Sequence, residues 1–535
     1  MRSPVVAAGL LAAVSWSSLL VAAPVSTISQ YGVTWTFDKA YEAGQFATGD
    51  WWVVGPVTIT SVSPAPTGTR HGSALNPRGG RQGYDSRAGE YATTDNVSFP
   101  RSLQVDQSLV SSVSKAEGAE IKNVGALQSQ AVLTVVSRPQ PAGSLRPSYA
   151  GTYKKYFNVA QIDWSRLPRL TPPTSKPNGA NLLRYADRPH VDHLSSWTIQ
   201  NSCAEDNWPN GVGHPCYGRD YSDFISIAAQ YVMLDTAEQR ELAASLIQIG
   251  IDNYGVLKAG GNWAANGGHH SGRKWPIVFA ARLLNDCDML RVGTEYDDAY
   301  FSEDGHTYYG TSGTALFGWD CGGGHGSYLQ NGCSGSGAKD CRDPAGAVDA
   351  CPDYRTCCTS HTWVGQMLAA LMLQSKSVWQ HDAYFDYVDR WMGNGVSGGG
   401  SASSAFVEQM WSLFRRNLPS TPAPPGACGG TAGSGGTAGS GGTAGSGGAS
   451  GGNGGTAGGA GRGGSSGSGG APGGGTGAGA SAGTSGANGG AGGSPPTGGS
   501  CGFVMPGSSA ASVQWIALFG LLLGARARRA RQTSK

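Results

Sequence analysis

Residues 260–276 read GGNWAANGGHHSGRKWP and gather two histidines (His269, His270), two cations (Arg273, Lys274), two asparagines (Asn262, Asn266) and two tryptophans (Trp263, Trp275) among glycines. Imidazole can move protons, guanidinium and ammonium can neutralise an anion, and amide and indole groups can orient a ligand. Glycines let the backbone turn sharply enough to bring them together. A loop kept for connection alone does not need that inventory, so this stretch is the candidate site. The competing reading makes Trp263 and Trp275 core plugs and leaves the histidines on the surface.

Further candidates lie later in the chain. Tyr308 and Tyr309 end the segment YDDAYFSEDGHTYY, whose carboxylates (Glu295 just before it, then Asp297, Asp298, Glu303 and Asp304, with Asp320 beyond) could act as a hydrolytic acid and base pair. His325 in Cys-Gly-Gly-Gly-His and His361 beside Cys357-Cys358 are expected to border the same cleft. Flat rings stack on pyranose faces, and Trp208, Trp263 and Trp319, in Gly- or Asn-rich surroundings, are the candidates for that contact. Trp51, Trp52, Trp275 and Trp391 are assigned to core.

The elements that must position these residues follow from periodicity. From Ser26 to Arg138 the pattern is strand-like: Val33-Thr-Trp-Thr-Phe37 alternates, and Trp51–Val54, Val57–Val62, Leu109–Val113 and Ala131–Val136 are β-branched or apolar runs bounded by turn residues. This predicts an antiparallel β-sandwich over 26–150. A polar, Gly-rich excursion, His71–Pro77 followed by Gln82–Asp85, interrupts it as a long hairpin or as a loop reaching over a neighbouring site. Residues 151–220 are Pro-rich and aperiodic and should wrap the fold, with a local Cys203–Cys216 disulfide.

Helical spacing then dominates over 221–420. It predicts helices over Tyr221–Leu234, Thr236–Tyr254 (with Asp235 and Glu238 as a capping pair), Pro276–Asn285, His361–Gln374, Ala383–Met392 and Ser404–Arg416. Short helices joined in pairs by aromatic, Gly-rich loops suggest an all-α, α/α-toroid-like domain. The fold class is therefore α+β and multidomain.

Composition narrows the setting. Charged residues make up 14% and the formal net charge is +2, so no strong field points to nucleic acid. Met1–Ala23 has the charged start and apolar run of a secretory signal, which suits eleven cysteines that an oxidising compartment would pair. Six of them (Cys321, Cys333, Cys341, Cys351, Cys357, Cys358) crowd one segment without the paired spacing of a zinc site, so disulfides are expected and no metal. No phosphate loop, dinucleotide fingerprint or Gly-x-Ser-x-Gly elbow is placed between a strand and a helix, and no cofactor is expected.

Residues 421–500 turn Pro-rich and then repeat Gly-Thr-Ala-Gly-Ser-Gly, a composition that buries no core and predicts a disordered tether. Residues 501–535 follow with Cys501, an apolar run near Ala510–Ala525 and an arginine cluster. This layout resembles the MYXO-CTERM sorting tag of myxobacterial surface proteins. The resemblance implies delivery to the outer membrane or cell surface by envelope sorting machinery, with Cys501 as the processing or lipid-attachment point.

The segments Gly267–Pro276, Trp379–Trp391 and Ala405–Trp411 are similar to stretches of bacterial α/α-toroid polysaccharide lyases, over about Asp220–Asn417. Those lyases place the toroid before the β domains, whereas here the β region comes first. The resemblance implies β-elimination on a uronate-containing polysaccharide. Such a site must neutralise the carboxylate, remove the proton on the adjacent carbon and protonate the leaving oxygen. On that reading Arg273 and Asn266 clamp the carboxylate, His270 is the base with His269 beside it, and Tyr309 is the acid. Trp263, Trp208, Trp319, Lys274, His325 and His361 hold the sugar chain. A hydrolase using paired carboxylates and a non-catalytic glycan-binding adhesin are the alternatives.

Overall fold

Alternation along Val33-Thr-Trp-Thr-Phe37 has the consequence expected of a strand: Val33, Trp35 and Phe37 are buried while Thr34 and Thr36 are half-buried. The computed structural model describes residues 24–119, 125–194, 203–209, 216–309, 313–318, 358–394 and 399–422. Its strands up to residue 136 are β1 (Val25–Gln30), β2 (Val33–Tyr41), β3 (Ala43–Gln45), β4 (Trp51–Val54), β5 (Val57–Ser63), β6 (Ser73–Leu75), β7 (Arg101–Leu103), β8 (Ser108–Ser114) and β9 (Leu127–Val136). They form a four-stranded sheet in the order β1-β2-β5-β7 and a five-stranded sheet in the order β3-β4-β9-β8-β6.

Pairing is antiparallel with one exception. Trp51 to Val54 of β4 run parallel to Leu133 to Val136 of β9, so the expectation of a wholly antiparallel arrangement is corrected there. The strands concerned are far apart in sequence, and a parallel pair of that kind needs a long crossover rather than a hairpin.

β9 explains the layering. Its odd-numbered residues Ala131, Leu133 and Val135 join Ile28, Trp35, Phe37 and Ile59 in a core shared by the two sheets. Its even-numbered Val132, with Leu127, joins the core built by the helices. The stretch Ala131–Val136, apolar but for Thr134, is buried throughout because both faces of the strand are covered. The five-stranded sheet is a middle layer, and the β region and the helices belong to one compact unit.

The described helices are α1 (Gly179–Ala186), α2 (Gly218–Tyr231), α3 (Gln239–Lys258), α4 (Lys274–Leu284), α5 (Val292–Glu295), α6 (Ser302–Gly305), α7 (Ser360–Met372), α8 (Lys376–Trp379), α9 (Asp382–Met392) and α10 (Ala405–Phe414). Gly250 of α3 faces Pro276 of α4 so closely that an added Cβ would lie 2.2 Å from the Pro276 carbonyl oxygen. Pro276 is tolerated because it stands in the first turn of α4, where no intrahelical N–H bond is required.

The expected start of α3 is corrected. Asp235 is paired with Arg169, and Glu238, though it stands at the N-cap, accepts from the Tyr231 hydroxyl, so neither side chain makes a capping bond and the helix begins at Gln239. Ser404 does cap α10, its Oγ accepting from the Val407 N–H at 3.2 Å.

The expected Cys203–Cys216 disulfide is formed. Helix α1 and the small strands β10 (Ser144–Leu145) and β11 (Phe157–Asn158) give order to a stretch without sequence periodicity. Among the described residues no helix is long and apolar enough to cross a membrane. The signal over 1–23, nearly all of the tether and the sorting tag with Cys501 lie outside them.

Candidate active site

The loop between α3 and α4 divides into a buried half and an open half. Arg273 is fully buried at the start of α4. Its Nε donates to Asp192 Oδ2 at 2.8 Å and its Nη1 to the Ser271 carbonyl at 2.6 Å, and the guanidinium stands 4.2 Å from the Tyr221 ring centre. Lys274, equally buried, is paired with Asp304 and donates to the Trp379 carbonyl at 2.7 Å. Both cations have their charge matched by a buried carboxylate, the arrangement that permits a charge inside a protein. They brace α4 and do not face a ligand. This corrects the expectation of Arg273 as carboxylate clamp and of Lys274 as a substrate contact.

His270 is also inside, 1% exposed, with Nδ1 2.7 Å from the Ala264 carbonyl. That bond sets the proton on Nδ1 and leaves Nε2 as the ring's basic atom; it is the burial of the ring that sets it apart from the expected role as base.

His269 faces the other way. The His269 N–H donates to the Asn266 carbonyl at 3.1 Å, closing a tight turn that carries both side chains, each half-buried. The ring meets Tyr217 edge-on with centres 5.1 Å apart. Burial, then His270 and Arg273, push the His269 imidazole down to about 4, so it is neutral near neutral pH. Its Nδ1 has no hydrogen-bond partner among the described residues. The Tyr217 hydroxyl packs on Gly268, where an added Cβ would come within 2.7 Å of it.

The same place receives the starts of α2 and α7. Arg219 stands 5.2 Å from the Tyr217 ring centre and gives Nε to Asp220 at 2.9 Å. His361, at the start of α7, lies 4.0 Å from Asp223 on α2, whose carboxyl is pushed up to about 7 by burial. His269, Tyr217 and Arg219 thus meet where the loop packs on the start of α2, and Cys358, just before α7, packs against Gly268 of the same loop.

The remaining expectations separate from this cluster. Tyr309, on β12 (Thr307–Tyr309), is 46% exposed and donates its hydroxyl to Asp386 of α9 at 2.5 Å. Its partner is a carboxylate away from the loop, and its expected pairing with His270 is corrected. Trp208 and Trp263 are 1% and 0% exposed, so neither offers a ring face to a sugar. Trp263 stacks on Phe301 and donates Nε1 to the Asp192 carbonyl at 3.2 Å, and Trp208 packs against Tyr221. Trp319, His325 and Asp320 lie outside the described residues.

Glu303 and Asp304, the two carboxylates that contact the loop, do not form an open pair. Glu303 is fully buried, accepts from the Gly272 N–H at 2.5 Å and is pushed up to about 7 by burial. Asp304 is held by Lys274 and by Trp379 Nε1, the latter at 2.7 Å. Two enclosed carboxyls cannot flank a sugar ring.

Tyr217 was missed from the sequence. Its signal is its position between Cys216, which the disulfide anchors, and Gly218, which opens α2. Also missed was Arg146, fully buried, which binds Asp50 at 2.7 Å and both oxygens of Asp252 at 2.9 and 2.7 Å. It ties the β region to α3.

Comparison of the chain with protein-family models, curated proteins and solved structures gives no match.

Proposed function

We propose that this chain is an exported, surface-tethered protein that cleaves a uronate-containing polysaccharide by β-elimination, its helices arranged as an α/α toroid. The supporting observation is the neutral, half-buried His269 set edge-on to Tyr217 beside Asn266. In the reaction the proton leaves the carbon next to the carboxylate, a carbon–carbon double bond forms, and the glycosidic carbon–oxygen bond breaks. The leaving oxygen then takes a proton. His269 is assigned the proton removal and Tyr217 the proton delivery, while Asn266 and Arg219 hold the carboxylate. Hydrolysis is the weaker reading because Glu303 and Asp304, the carboxylates that contact this loop, are enclosed.

The test follows the ultraviolet absorbance of unsaturated uronate products, with reducing ends assayed in parallel, for the chain and for His269→Gln and Tyr217→Phe. Both signals should rise with the unchanged chain and fall in each variant at unchanged melting temperature. Reducing ends without the absorbance would establish hydrolysis instead. Full activity in both variants would remove these assignments.

A further inference from the structure

The polar excursion between β5 and β8 lines a cleft of about 430 Å³ on the β region. Arg78, Arg81 and Arg101 stand on its walls, all exposed, against a single carboxylate, Asp95. Arg81 is spoken for in part, its Nη2 donating to Thr94 Oγ1 and Asp95 Oδ1, each at 2.8 Å. Among the described residues Arg78 and Arg101 have no carboxylate partner. This is unlike Arg273 and Arg146, whose charges are met inside the protein.

Two lining amides add donors. Asn76 Oδ1 accepts from the Ser108 N–H at 2.8 Å, and Asn96 Oδ1 accepts from the Ser73 N–H at 3.3 Å. With each oxygen engaged by backbone, what remains of both side chains is the NH₂ group, which has no protein acceptor among the described residues. The cleft therefore offers guanidinium and amide donors in excess of acceptors, with Pro77 and Val97 as apolar patches between them. Guanidinium forks fit the oxygens of a carboxylate, and aliphatic surface fits the C–H faces of a sugar.

The walls are held in place beforehand. Gly80 N–H donates to the His193 carbonyl at 2.8 Å, and Gly151 N–H to the Pro77 carbonyl at 2.9 Å. Gly79 meets Gly261 backbone to backbone, an added Cβ falling 2.3 Å from Gly261 Cα. The excursion thus rests on the start of the same loop that carries Asn266 and His269. Little ordering is left for a ligand to impose.

We infer that this cleft is an anion-binding site that holds the carboxylates of an acidic polysaccharide through Arg78 and Arg101. The inference rests on the proposed reading for the carbohydrate nature of its ligand, and not on elimination chemistry.

The test is calorimetric binding of polygalacturonate, neutral dextran and single-stranded DNA to the full chain carrying His269→Gln, which leaves the polymer uncut. The same titrations are made after adding Arg78→Gln and Arg101→Gln. Polygalacturonate should bind in preference to both other polymers, weaken with salt, and lose about a hundredfold in affinity in the arginine variant. Should glutamine disturb folding, lysine at both positions keeps the charge without the fork and should still weaken binding. Equal affinity with and without the arginines, or equal binding of dextran or DNA, would overturn the inference. Arginine-dependent binding with no unsaturated product from the unmutated chain keeps this site and removes the elimination reading. Unsaturated product with binding indifferent to the arginines does the reverse.

Discussion

Two sets of arginines in this protein share a side chain and differ in what meets it. Arg273 and Arg146 lie fully buried against Asp192, Asp50 and Asp252, whereas Arg78 and Arg101 stand exposed on a cleft without a carboxylate partner among the described residues. A buried cation forfeits hydration and has to be matched from within, and once matched it serves to hold elements together. An exposed cation keeps its water and can exchange it for an external anion. Burial, not residue type, separates bracing from recognition here.

The sharpest way to break the comparison is to remove a buried member. Arg273→Ala leaves the Asp192 carboxylate enclosed without its cation and is expected to cost about 3–5 kcal/mol of stability, read from denaturant unfolding. Arg146→Met should cost about as much, because two carboxylates lose their partner. A change below about 1 kcal/mol in either would show that these ion pairs do not brace the fold.

At the open end of the loop the effect should fall on rate and not on stability. His269→Gln is expected to lower elimination by about a hundredfold or more with the melting temperature unchanged. By contrast His270→Gln, which alters a ring hydrogen-bonded inside the loop, should lower the melting temperature. The reverse pattern would exchange the roles of the two neighbours.

In the cleft, Arg78→Gln alone should weaken polygalacturonate binding by about tenfold and shift stability by less than about 0.5 kcal/mol.

The smallest effect is in pH dependence. His190 and His193 are buried and pushed down to about 4 by desolvation, well below the ordinary 6.5. Between pH 6.5 and 4 the unfolded chain takes up protons that these rings refuse, so their contribution to stability falls as the solution is acidified. Glu303 acts in the opposite sense: its carboxyl, raised from 4.5 to about 7 by burial, holds a proton in the folded state that the unfolded chain releases. Its contribution therefore grows as pH falls from 7 to 4.5. Glu303→Gln removes that opposition, and the drop in melting temperature between pH 7 and pH 5 should be steeper than in the unmutated chain. An unchanged or shallower drop would show that Glu303 is ionised in the folded protein.

Much of the fold was legible because periodicity is local. Alternation located β2, and apolar, β-branched runs located β5 and β8; helical spacing located α2, α7 and α9 to within a few residues. The start of α3 was misplaced because Asp235 and Glu238 were taken by Arg169 and Tyr231, partners that no local pattern contains. The density of polar groups in the loop at 260–276 is plain in the sequence, but its division was not readable. His269 and His270 are adjacent and chemically identical, yet one meets Tyr217 at the edge and the other is turned toward the Ala264 carbonyl.

By itself the sequence located several of the longer strands and helices, the loop that concentrates imidazole, amide and cation, and the pairing of Cys203 with Cys216. Those are properties of short stretches, set by backbone geometry and side-chain period. Tertiary structure alone decided that β4 runs parallel to β9, that β9 is covered on both faces, and that Arg273 and Lys274 point inward to Asp192 and Asp304. It also decided that Arg78 and Arg101 point outward. The cost of a charge depends on the water and counter-charges around it, and those are supplied by residues remote in sequence.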